Sequence, residues 1–241
     1  MNHTLVRDNL KNFGALACVH DVAKRAMNKV IPLRVLRTVK LTREGVDARY
    51  LEMPPGFRGH FATADELARW QGEAQCQLDA EFVRQALARD DRCYVITCGQ
   101  TLASYGWYSQ RPTAISKDLI LHFDPAWVYM FKGYTLPEYR GMRLHAIGMA
   151  HALDDQVREG AHGILSYVES NNFASLRSCY RLGYEQVGTI VACRSPRKTH
   201  IFESPGCRPY GLRLQAKAPL SRRPAGAGSG AERASPQAVN R

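Results

Sequence analysis

The chain has 241 residues, 45% hydrophobic and 23% charged, with a formal net charge of +11. That size and balance suit a globular protein of one ordinary domain with extra segments, or of two small domains, and exclude a fibrous or wholly disordered chain. No apolar run approaches the ~18 residues that cross a bilayer, and Phe13–Val19, seven residues behind Asp8 and Lys11, does not fit a signal peptide.

From Leu5 to Val30, apolar residues recur at three- and four-residue steps, predicting an amphipathic helix with Lys and Arg on its other face, stopped by Pro32. Leu33–Thr42 alternates as a strand. Ala62–Gln71 opens with a Thr/Asp cap signal and Leu78–Arg89 follows as a second helix. "RCYVITC", Gly99-Gln100 and "TLASYGWYSQ" predict a hairpin. "ISKDLILHF" is a further strand, broken at Asp124-Pro125, and Ala126–Leu136 is a strong strand run ended by Pro137. Ile147, Ala150, Leu153 and Val157 make a helical stripe over Arg143–Glu159, closed by Gly160. "GILSYVE" is a strand, Asn172–Leu182 a helix ended by Gly183, and "YEQVGTIVAC" and "THIFES" are closing strands. The Ala/Gly/Pro/Ser/Arg-rich stretch from Gln215 lacks periodicity and predicts disorder. The expected architecture is α/β (α+β): one domain over 33–210 with a mixed sheet flanked by helices, a basic helix over 1–32 and a basic tail over 211–241.

Charge is concentrated at the ends. Residues 1–40 carry eight Lys/Arg against two Asp, residues 211–241 six against one Glu, and the middle holds nineteen of each sign. A neutral middle argues against specific nucleic-acid binding, since basic ends give only salt-sensitive attraction to polyanions. The seven cysteines (Cys18, Cys76, Cys93, Cys98, Cys179, Cys193, Cys207) and eight histidines show no metal-ligand spacing, so no metal and a cytoplasmic setting with reduced thiols are expected.

The chemistry is concentrated at "YTLPEYRGMRLH", Tyr134–His145. A strand halted by Pro137 meets a helix whose first turn offers unpaired N–H groups and the positive end of its dipole. Gly141 keeps one side chain clear, and Arg140 and Arg143 add charge, so a phosphate or pyrophosphate is the natural occupant. A second block, "YVESNNFASLRSCYRLGYEQVG", gives strand, Asn, a Ser three residues on, a helix and Gly-Tyr. Together the two blocks resemble the GNAT acyltransferase family, over about Leu33–Glu203 and with specific motifs at roughly residues 128–190.

The resemblance implies an acyl-CoA-dependent N-acyltransferase using acetyl-CoA on an amine, either a small molecule or a protein amine. By this resemblance, Gly133, Tyr134, Thr135 and Leu136 pair with pantetheine and supply the main-chain oxyanion donor. Arg140, Gly141, Met142, Arg143, Leu144 and His145 cradle the pyrophosphate, Asn172 meets pantetheine and Ser175 the phosphate. Arg143 and His145 stand where the family pattern has Gly and Gly/Ala. The family's Tyr acid falls at Cys179, with Tyr180 one residue later and about 100° round the helix. Glu169 and Tyr129 are candidate bases, with Asp124 a third; Arg177 and Arg181 form a solvated face or meet the 3′-phosphate. The acceptor pocket would lie within Phe61–Arg89 and Val191–Ser204, which include Trp70, Phe82, Arg84 and His200. The N-terminal helix is outside the family core; packing on the domain, pairing with a second copy and meeting an acidic partner are its open roles. A CoA-binding module without turnover is the alternative, and a basic adaptor acting through the two ends is a third reading.

Overall fold

The computed structural model describes residues 15–30, 32–196 and 198–217. The first ten residues of the predicted N-terminal helix (5–14) and the tail beyond residue 217 lie outside them. In chain order the regular elements are α1 (Ala15–Val30), β1 (Leu33–Leu41), β2 (Phe57–Phe61), α2 (Ala64–Gln71), α3 (Ala80–Ala88), β3 (Arg92–Cys98), β4 (Thr101–Ser109), β5 (Thr113–Ala114), β6 (Leu119–His122), β7 (Val128–Thr135), α4 (Leu144–Arg158), β8 (Ile164–Glu169), α5 (Phe173–Leu182), β9 (Glu185–Arg194), β10 (Thr199–Glu203) and β11 (Arg213–Ala216).

Eight strands form one mixed sheet in the order β10-β9-β1-β8-β7-β4-β3-β2, and β11-β6-β5 form a second. Every pairing is antiparallel except β7 with β8. The predicted mixed-sheet α/β class therefore holds. Alternation along the strands divides the core between the sheet's two faces. Tyr94 and Ile96 of β3 join Leu144, Ile147, Ala150 and Leu153 of α4, whereas Cys93 and Val95 join Leu67 and Trp70 of α2 and Val83 of α3. Leu36, Tyr129, Leu165 and Ile190 form a third cluster with Leu121 and Leu214 of the small sheet.

The helix starts follow local chemistry. Thr63 and Glu66 make a reciprocal capping box on α2, and Asp79 accepts from the Phe82 N–H on α3. Gly183, at φ +116°, closes α5 where the sequence placed its end.

Three strands escaped the pattern reading. β2 is a half-exposed five-residue edge strand, and β5 has two residues. β11 corrects the expected tail: Leu212 and Leu214 are buried, Arg213–Ala216 pair with Leu119–His122, and the Leu214 N–H donates to Glu203 Oε1 at 2.8 Å. The ordered domain thus runs past 210. Two alternating leucines are too short a signal to stand out from a Gly/Pro/Ala-rich end.

α1 meets the domain through polar side chains. Asp21 and Lys24 are buried, while Val19 and Met27 are exposed. Lys24 Nζ reaches Glu169 Oε2 and Asn171 Oδ1, both at 2.7 Å, and Asn171 Nδ2 donates to Asp21 Oδ1 at 2.9 Å. The helix is thus fastened to the end of β8 by charge and hydrogen bonds. No helix among the described residues is long and apolar enough to cross a membrane.

Removing one partner of a buried pair leaves its mate uncompensated. Lys24→Met is expected to cost about 1–3 kcal/mol, scaled down from fully buried pairs because Glu169 keeps partial exposure and its Arg34 contact. Hydrogen exchange should show α1 amides losing protection with those of β3 and β4 unchanged; unchanged exchange in α1 would show that the network does not fasten the helix.

Candidate functional site

The site begins where β7 and β8 part. They pair in parallel only at Val128↔Ile164 and Tyr129↔Leu165. At the next position the Ser166 hydroxyl donates to the Met130 carbonyl at 3.0 Å, a side chain taking the place of a ladder bond. Beyond it β8 continues on β1, Ser166–Glu169 pairing with Val39–Leu36, and β7 continues on β4. The register of β7 on β4 shifts between Trp107/Lys132 and Tyr108/Met130, making Phe131 the extra residue of a bulge. A bulge bends and twists its strand, so it drives the separation.

The parting exposes backbone donors. Leu136 N–H donates to Ala103 O at 3.0 Å, and Ser104 Oγ donates to Tyr134 O at 3.0 Å. In an antiparallel ladder, alternate residues face the partner strand, so the Gly133 and Thr135 N–H groups face the open cleft.

At the far end of β7, Pro137–Tyr139 make one tight turn and the chain enters α4 through Arg140–Arg143. Gly141 has φ +84° and Arg143 φ +62°. Arg143 O accepts from Ala146 and Ile147, while the N–H groups of Arg143, Leu144 and His145 have no helical partner behind them. Left-handed residues just before a helix turn successive N–H groups into one concavity, which suits an anion. Arg140, Gly141, Met142 and Arg143 are exposed, and Leu144 is fully buried as the anchor of the first turn. Arg143 therefore occupies a glycine-like backbone conformation, which costs a non-glycine residue about 1 kcal/mol.

The His145 side chain packs against β7. A Cβ built on Gly133 would lie 2.0 Å from His145 Cε1, so the imidazole occupies the space above that glycine. Although the residue keeps some exposure, its ring is walled in. Desolvation pushes its pKa down to about 4, opposed by a hydrogen bond to the Tyr105 backbone, so the ring is neutral at pH 7. The bulky His fits where the family pattern has a small residue because β7 supplies a glycine opposite. A gap with room for about one water lies against it, lined by Tyr94, Tyr108, Gly106 and Met149 among others.

The three predicted catalytic side chains are also corrected. Glu169 is held by Lys24 at 2.7 Å and Arg34 at 2.8 Å, one cation on each carboxylate oxygen, and so is not poised as a base. Tyr129 is 1% exposed, stacked between Phe131 and Tyr167, and burial raises its pKa well above the ordinary value, so it stays a neutral phenol. Tyr180 is exposed and its hydroxyl donates to Gln186 Oε1 at 3.2 Å, over β9. Cys179 packs on the core, its thiol pushed up to about 11 by burial. Asp124 accepts from the Ala126 N–H and shapes a turn. Asn172 caps α5 by accepting from the Ser175 N–H at 3.1 Å, beside the end of β8. Of the expected acceptor-pocket residues, Trp70 is core, Arg84 pairs with Glu81 and His200 is exposed; Phe82 alone meets the cleft strand, at Phe131.

Sequence reasoning missed Lys24, Arg34 and Lys132. Lys24 and Arg34 lie 145 and 135 positions from Glu169, and no local pattern predicts such contacts. Lys132 looks like a solvent-facing strand residue, but the bulge turns it toward Phe82 on α3.

Gly133→Ala must push His145 from its seat and is expected to cost about 1–3 kcal/mol in denaturant unfolding. His145→Ala should relieve most of that cost, giving strong non-additivity in the double mutant; simple addition would mean the two do not share the space. The lowered His145 pKa also carries a sign. The unfolded chain titrates near 6.5 and the folded chain near 4, so unfolding between these values takes up about one proton and stability falls as pH drops through that window. His145→Ala should remove that contribution to the pH profile.

No family profile matches the chain, and no curated protein matches it. Solved structures of GNAT acetyltransferases are similar to it. One is a GCN5-related N-acetyltransferase-like protein from Streptococcus suis (16% identity; 70% of this chain and 66% of that one; TM-score 0.48). A second is a GCN5-related N-acetyltransferase from Kribbella flavida (19%; 75% and 63%; TM-score 0.44). A third is the aminoglycoside N-acetyltransferase AAC(6')-Iy, solved with CoA (15%; 56% and 93%; TM-score 0.43). The chain spans less than two thirds of the length of the first two.

Proposed function

We propose that the chain is an acyl-CoA-dependent N-acyltransferase, taking acetyl-CoA as donor and an amine as acceptor. The observation that carries this reading is one continuous path: free Gly133 and Thr135 N–H donors on the open edge of β7, leading to an N–H concavity flanked by Arg140 and Arg143. An extended amide-bearing arm adds to a free strand edge by main-chain hydrogen bonds, and a pyrophosphate suits the concavity. The residues present fit that ligand at both ends.

In the proposed reaction a neutral amine attacks the thioester carbonyl. The new C–N bond forms, the C–S bond breaks, the amine proton leaves to water, and CoA departs as the thiol after protonation. A main-chain N–H of β7 stabilises the developing oxyanion; preorganised donors of this kind are often the largest catalytic contribution. Glu169 instead pairs with Arg34 and Lys24, and Asn172 caps the start of α5. Catalysis would thus come mainly from positioning and backbone polarisation.

A second reading, a CoA-binding module without turnover, is favoured by one observation: Glu169, Tyr129 and Tyr180 are all engaged or turned away from the cleft. The two readings part on product. Titration calorimetry is expected to show micromolar acetyl-CoA binding that Arg143→Glu abolishes and Arg143→Gly weakens, while Arg143→Gly raises stability by about 1 kcal/mol through relief of its backbone conformation. Thiol release on adding amines would mark the enzyme, and binding without release the module. No binding by folded wild type would overturn both.

A further inference from the structure

Four rings make successive contacts from α3 to β8, on the sheet face opposite α4. Phe82 of α3 meets Phe131 at 6.3 Å, Phe131 stacks on Tyr129 at 6.1 Å, and Tyr129 stacks on Tyr167 of β8 at 6.3 Å. A cation stands at each end. The Lys132 ammonium lies 3.9 Å from the Phe82 centroid, and the Arg34 guanidinium 5.9 Å from that of Tyr167.

The two ends differ in charge balance. Arg34 pairs with Glu169 at 2.8 Å, a carboxylate it shares with Lys24. Lys132 has no carboxylate at ion-pair distance among the described residues, and its ammonium lies on the Phe82 face beside Cys93. Asp79 influences it from further off, but Asp79 Oδ1 already accepts from the Phe82 N–H at 2.8 Å. Burial penalises the charge of Lys132 and lowers its pKa, with Asp79 opposing. A half-buried ammonium without a counter-ion is costly to keep, and an anion arriving from outside would form a charge-assisted hydrogen bond with it. Lys132 follows the bulge at Phe131 and precedes Gly133, whose N–H faces the cleft. The edge-on neighbour of Phe82, Trp107 at 5.2 Å, has a buried indole N–H that is also without a partner.

We propose that the acceptor is an amine bearing a carboxylate or similar anionic group on a flat apolar body, with Lys132 holding the anion and the neighbouring Phe82 and Phe131 rings holding the body. The assignment of this ligand as acceptor rests on the acyl-transfer reading; the anion site itself does not. Phe82 and Phe131 are only partly buried, so a flat ligand can add to the aromatic surface beside Lys132.

Phenylacetate and phenylacetamide have nearly the same shape and differ in charge, so their binding to the full chain, followed by ligand-observed NMR, tests the site without turnover. Wild type should bind phenylacetate about tenfold more tightly than the amide, the size expected of a charge-assisted contact. Lys132→Met should erase the difference and Lys132→Arg keep it, with unfolding midpoints checked for each variant. Equal affinities in wild type, or a preference that survives Lys132→Met, would overturn the proposal. In thiol-release assays with acetyl-CoA, phenylalanine should show a KM about tenfold below that of phenethylamine, and Lys132→Met should raise the phenylalanine KM with kcat little changed. Turnover with equal KM values would sink the acceptor assignment while leaving acyl transfer intact. A phenylacetate preference without acetyl-CoA binding would retain the anion site and sink acyl transfer, and with it the acceptor role.

Discussion

The separation of β7 from β8 after two paired positions is the constraint on which the site depends. A parallel pair that continued would engage every main-chain donor on the inner edge of β7. Instead a bulge at Phe131 turns the strand, the Ser166 hydroxyl ends the ladder at Met130, and β8 passes to β1. The opening sits at the one parallel junction of an otherwise antiparallel sheet, where the crossover helix α4 begins just beyond the end of β7. Strand edge and helix start are therefore adjacent by topology. Main-chain donors and the positive end of α4 face the same space without any side-chain motif to arrange them.

The elements around this opening compensate for one another. His145 is too large for the first turn of a helix lying close on a strand, and Gly133 makes the room. Arg143 adopts a left-handed conformation better suited to glycine, at a modest cost, with its charge near Asp47. On the opposite face, Glu169 takes two cations from distant parts of the chain and ties α1 to the end of β8. The carboxylate most available for proton transfer on sequence grounds is the one the fold uses as a fastener. What remains near the cleft is Lys132, which has no carboxylate at ion-pair distance among the described residues and lies against Phe82.

Most of the secondary structure was legible because its signals are local. The hairpin at Gly99-Gln100, the cap Thr63, the stripe on α4 and the Gly183 stop all depend on residues within a few positions of one another. β2 and β11 were not legible, since each is a short edge strand whose register is set by a neighbour and whose apolar residues are few. The strand-to-helix junction at Arg140–His145 was legible from Pro137, Gly141 and the apolar stripe that follows. The direction of each side chain was not, because it depends on what stands opposite.

By itself the sequence determined the order of elements, the mixed-sheet class and the strand-to-helix junction, because periodicity, caps and breakers act over a few residues. Only the tertiary structure decided which groups at that junction are available. Burial left His145 and Tyr129 neutral, a hydrogen bond drew Tyr180 to Gln186, and Lys24 and Arg34 closed on Glu169 from positions more than a hundred residues away. The physical reason is that ionisation and hydrogen-bond availability depend on solvent and partners in three dimensions, and a local pattern carries neither.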